Sequence, residues 1–80
     1  MLKRGESALL SYRLLWEVMR QRKITTYVLI NTYGISSRTV NNLKHDKSIT
    51  MYTLEKLCSI LKCTPNDVVE FLPNPDELKE

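Results

Sequence analysis

Residues 25–44 read Thr25-Thr26-Tyr27-Val28-Leu29-Ile30-Asn31-Thr32-Tyr33-Gly34-Ile35-Ser36-Ser37-Arg38-Thr39-Val40-Asn41-Asn42-Leu43-Lys44, and the fold turns on this stretch. Thr25 carries a hydroxyl suited to accept from the free N–H groups of a first helical turn. A short helix from Tyr27 to Tyr33 is predicted to follow, with Leu29, Ile30 and Tyr33 facing inward. β-Branched Val28 and Ile30 make a short strand its local competitor. Gly34 supplies the left-handed residue that stops a helix abruptly. Ser36 caps the next helix, Ser37 to about Lys44, in which Val40 and Leu43 fall on the buried side.

Two short helices across a glycine-containing turn form a helix-turn-helix, an arrangement in which the second helix enters the major groove of duplex DNA. The face left free holds Ser37, Arg38, Asn41, Asn42 and Lys44, with no acid among them. Arginine forks onto the two acceptors of guanine, and asparagine matches the donor and acceptor of adenine. Any one of these residues alone reads as solvated surface. The conjunction of turn glycine, cap, narrow apolar stripe and acid-free face points to base contacts by Ser37, Arg38, Asn41 and Asn42.

Outward from this pair, Leu10, Leu14, Leu15 and Val18 recur at helical spacing and predict a first helix from Ser7 or Ala8 to Arg22, with Ser7 as N-cap. His45 to Ile49 reads as a loop. Thr50 caps a fourth helix with Leu54, Leu57, Cys58 and Leu61 on its apolar face. Thr64-Pro65-Asn66-Asp67 places a capping threonine, a proline at the first helical position and an acid at the third. A fifth helix from Pro65 to about Phe71 is expected, with Val68, Val69 and Leu72 inward, stopped by Pro73 and Pro75. The expected fold is therefore all-α, with five short helices around one core. Residues 1–7 read as an N-terminal extension, 8–72 as the domain and 73–80 as an acidic tail.

An 80-residue chain makes one domain with little core to spare for a buried active site. Up to Asn66 there are eleven Lys or Arg against four acids, whereas residues 67–80 hold five acids and one lysine. A basic body with an acidic tail suits a polyanionic partner. No stretch approaches a membrane span, and Lys3 and Arg4 precede no signal-peptide core, so the expected setting is cytoplasmic. There Cys58 and Cys63 stay free as small hydrophobes, and with one histidine, His45, they make no metal site. No carboxylate pair, nucleophile–base arrangement or phosphate-cradling loop is present, so neither catalysis nor a cofactor is expected. Trp16 reads as core or rim packing, with a partner contact as the alternative. Tyr27 and Tyr52 are either partly buried or placed to reach phosphates.

From Leu15 to Leu72 the chain resembles the lambda-repressor-like (Cro/CI-type, XRE) DNA-binding domains. The resemblance rests on Ile24-Thr25-Thr26, on Gly34 to Leu43, on Tyr52-Thr53-Leu54-Glu55-Lys56-Leu57 and on Leu61 to Glu70. The last segment looks like that of short stand-alone regulators of Gram-positive bacteria and mobile elements. The resemblance implies base contacts at Ser37, Arg38 and Asn42, with Asn41 close by. It implies phosphate contacts at Thr26 and Ser36, an approach of His45, Lys47 and Ser48 to the backbone, and a further cation at Lys44. Three departures stand out. Ile30 replaces a usual alanine, Met19 and Lys44 replace an arginine–acid pair, and Asp46 replaces the glycine after the reader helix. Double-stranded DNA is thus the expected partner, bound by a homodimer on a near-palindrome, with repression or local regulation the expected role and Phe71 and Leu72 a candidate pairing surface. A protein-interaction module, of antirepressor or antitoxin-like kind, is the alternative, and an apolar free face would favour it. An RNA ligand is disfavoured by the lack of an aromatic stacking platform.

Overall fold

The structure, a computed structural model, describes residues 8–73. Ser7 and the greater part of the acidic tail lie outside that range. The order is β1 (Ala8–Ser11), α1 (Arg13–Arg22), α2 (Thr26–Asn31), α3 (Ser37–Lys44), α4 (Met51–Leu61), a 3-10 turn (Pro65–Asp67) and β2 (Glu70–Pro73). The four helices enclose a core of Leu15, Met19, Leu29, Ile35, Val40, Leu43, Leu57 and Leu61, joined by Tyr12 and Val68 from the connecting segments.

Two expectations need correction, and they share one cause. Residues 8–11 do not open the first helix, and residues 68–71 do not continue a fifth; they lead into or form an antiparallel two-stranded sheet. Its register pairs Ala8 with Pro73, Leu9 with Leu72, Leu10 with Phe71 and Ser11 with Glu70. Thr64-Pro65-Asn66-Asp67 does start a turn: the Asp67 carboxylate accepts from both the Thr64 N–H and its hydroxyl, each at 3.3 Å. One 3-10 turn then ends, Val68 plugs into the core, and the chain straightens. Val68 still holds a right-handed helical conformation at the end of the turn, and beyond it β-branched Val69 and aromatic Phe71 favour extended backbone once a partner strand is present. That partner lies some sixty residues away in sequence, so local spacing gave no sign of it. Leu72 and Tyr33, expected inside, are each 40% exposed.

The sheet is clasped to α1 by polar contacts. The Arg13 guanidinium donates to both oxygens of Glu70, at 3.0 and 3.2 Å, and the Ser11 hydroxyl donates to Glu70 at 3.4 Å. The Arg13 N–H donates to the Ser11 oxygen, so the first turn of α1 is tied where a side-chain N-cap is lacking. At the other end of α1, Arg22 donates from Nε to the Leu61 carbonyl at 2.8 Å. A cation on the last carbonyls of α4 satisfies groups that have no partner within the helix.

Helix ends are made largely without glycine. Lys23, Asp46 and Lys62 all hold φ between 55° and 59°, in the left-handed region. Each is followed by an N–H that reaches back five residues: Ile24 to Met19, Lys47 to Asn42, and Cys63 to Cys58, at 2.8–3.0 Å. This is the Schellman closure, and it places Cys58 against Cys63 across the end of α4. The two cysteines are free and half-buried, and burial raises both thiol pKa values.

Tyr12 is 1% exposed, and its pKa is raised first by burial and then by the nearby Asp46 carboxylate. The unfolded chain therefore ionises this phenol before the folded one. The stability linked to Tyr12 is complete below the ordinary tyrosine range and is lost as pH climbs through and above it. Melting temperatures measured from pH 8 upward should fall steeply beyond about pH 10. The drop should be shallower in Tyr12→Phe, and an equal drop in both proteins would exclude this role for the phenol.

Candidate nucleic-acid interface

α3 spans Ser37–Lys44, the range expected from its cap and stripe. The Ser36 oxygen accepts from the Thr39 N–H at 3.1 Å, and the Ser36 hydroxyl donates to Thr39 Oγ1 at 3.0 Å. Thr25 caps α2 in the same way through the Val28 N–H, and Thr50 caps α4 through the Thr53 N–H. Gly34 sits at φ +73°, with open space where a Cβ would stand. Its requirement is therefore backbone conformation and not crowding. The Ile35 N–H donates to Leu29 at 2.9 Å and turns buried Ile35 under the two helices.

Val40 and Leu43 are buried at 4% and 0%, which fixes the rotation of α3. Ser37, Arg38, Asn41 and Lys44 are consequently exposed, and Asn42 is half-buried. No acid lies on the helix. Among the described residues the ion pairs are Arg13–Glu70 and Arg20–Glu17, so the charges of Arg38, Lys44 and Lys47 are unspent. Ser36 is exposed, with its hydroxyl engaged in the cap. Thr26 is half-buried in the first turn of α2.

The loop after α3 carries His45, Lys47 and Ser48, all exposed. The His45 Nδ1 lies 2.8 Å from the Asn41 carbonyl and donates to it, so Nε2 faces away. Two hydrogen bonds anchor this loop to the start of α1. The Tyr12 N–H donates to Asp46 Oδ1 at 3.1 Å, and the Tyr12 hydroxyl donates to the Lys47 carbonyl at 2.7 Å. Asp46 thus does more than tolerate the left-handed position a glycine would hold. Its carboxylate is turned onto the Tyr12 backbone N–H at the start of α1.

Tyr12 and the tether it makes were missed in the sequence. Met19, at the place of the family's helix-1 arginine, is 4% exposed and packs in the core. With Lys44 free at the surface, the usual charge pair is replaced by apolar packing. Tyr27 and Tyr52 are both 72% exposed. No helix among the described residues is long and apolar enough to cross a membrane.

Comparisons with known proteins agree with this geometry. Residues 14–74 match the Cro/C1-type HTH DNA-binding domain family. An uncharacterized HTH-type transcriptional regulator of Bacillus subtilis, YozG, is 31% identical over 61 residues, covering 74% of this chain and 73% of the relative. The crystal structure of the transcriptional regulator VanUg shares the fold, with a TM-score of 0.80 over 92% of this chain and 99% of that one, at 24% identity. With its capped pair α2–α3 joined at left-handed Gly34, the chain belongs to the Cro/C1-type helix-turn-helix family of DNA-binding domains.

Proposed function

We propose that the protein is a sequence-specific repressor that reads the major groove with α3. The observation that carries this reading is the exposed ridge of Ser37, Arg38, Asn41 and Lys44, standing opposite buried Val40 and Leu43 with no acid on it. Arg38, Asn41, Asn42 and Ser37 face base edges, and Thr26, Ser36, Lys44, His45 and Lys47 fix the register on phosphates. Ser36 contributes mainly through its position at the helix start, since its hydroxyl is held by Thr39. His45 donates to a phosphate only as imidazolium, because the neutral ring spends its one N–H on Asn41.

One copy covers one half-site, so two copies pair on a near-palindrome. Leu9 and Leu72 are exposed as a cross-strand pair on one face of the β1–β2 ribbon, Phe71 is exposed on the other face, and the ribbon offers the pairing surface. The test is a selection of bound duplexes from a random pool, followed by a salt titration on the selected sequence. A palindromic consensus is expected. The slope of log affinity against log salt is expected near −4, from about −0.9 per phosphate neutralised by Lys44 and Lys47 in two copies. A flat salt response, or no enriched sequence, refutes the reading.

A further inference from the structure

Trp16 is the chain's only tryptophan. Its ring is half-buried and packs against the core from α1. With Thr26 from the first turn of α2 and Lys44 from the last turn of α3, it lines a shallow depression of about 370 Å³. The three lining residues carry an indole N–H, a hydroxyl and an ammonium, and no acid lines the depression. Among the described residues Lys44 is in no ion pair. Every buried side-chain nitrogen and oxygen among them has a hydrogen-bond partner, and no acceptor there takes the indole N–H, so that group opens to the surface.

We propose that this depression seats one phosphate of the DNA backbone, with the Trp16 N–H donating to it beside the Lys44 ammonium. The inference rests on α3 as the reading helix, because the depression joins the end of α3 to the start of α2. The three groups divide the work by kind. Lys44 supplies attraction and counterion release, and Trp16 supplies a neutral, directional donor. Because the ring is already held by core packing on one side, little side-chain freedom remains to be lost on binding. Trp16 therefore fixes register without adding charge.

The single tryptophan makes the test direct. The full chain, excited where tryptophan alone absorbs, is titrated with labelled random duplex while acrylamide quenching and duplex anisotropy are read together. Duplex should lower the Trp16 quenching constant at least about twofold, and salt that releases the duplex should restore it. Inorganic phosphate at matched phosphate concentration should give little shielding; equal shielding would assign the depression to a free anion. In Trp16→Phe, affinity should fall about tenfold or more on selected and random duplex alike, as for one lost hydrogen bond to a charged acceptor. Its salt slope should stay unchanged, whereas Lys44→Gln should flatten it by about 1.8, or about 0.9 for each of the two copies. A bound duplex with unaltered Trp16 quenching overturns the proposal and leaves DNA binding standing. No anisotropy change with any duplex overturns both.

Discussion

Arg38→Ala is expected to lower affinity for the selected operator about ten- to a hundredfold per half-site, the worth of one bidentate base contact. The loss on random duplex should be only about twofold, because one cation among several is removed. Arg38 is exposed, in the first turn of α3, and free of any acid partner among the described residues. Nothing in the fold depends on its head group, so the variant should melt like the parent. Lys47→Ala is the matched control. It should weaken operator and random duplex by similar factors and flatten the salt slope. Fluorescence anisotropy on both duplexes across a salt series measures all of these quantities. Equal losses on the two duplexes from Arg38→Ala would refute base reading by this residue.

The parts of the fold that a short window encodes were legible. Thr25, Ser36 and Thr50 each accept from a backbone N–H three residues on, and Gly34 holds a positive φ. Capping and turn chemistry act within four residues, so the sequence states them openly. The same holds for α3, whose narrow stripe of Val40 and Leu43 fixed its rotation and exposed its polar ridge. What was hidden depends on pairing across the chain. Leu10 sits four residues before Leu14, so its spacing mimics a helix while it lies in β1. Phe71 and Leu72 likewise follow a well-capped turn that looks like the start of a helix. Lys23 and Lys62 end helices in a conformation more often given to glycine, and no local signal marks them. Of the loop after α3, the residues facing outward were legible, and the residue holding the loop in place was not.

That residue is Tyr12, and the second large effect follows from it. Its ring is buried in the core, and its N–H and hydroxyl bind Asp46 and Lys47. Tyr12→Ala removes a buried aromatic ring and should cost about 3–5 kcal/mol. A domain of this size holds roughly 4–12 kcal/mol in all, so this single change leaves much of the population close to unfolding. Tyr12→Phe keeps the ring and loses only the hydroxyl bond to the Lys47 carbonyl, at about 1 kcal/mol, or a melting temperature lower by about 4–8 °C. The second variant separates folding from function. With the core intact, the segment from His45 to Ser48 loses one of its two anchors to α1, so affinity for random duplex should fall severalfold. The preference for operator over random duplex should persist, because α3 keeps its cap and its buried stripe. Circular dichroism melts and anisotropy on both duplexes make the comparison. A Tyr12→Phe protein that melts and binds like the parent would mean that the ring alone holds the loop. One that loses the operator preference would mean that the tether sets the position of α3 itself.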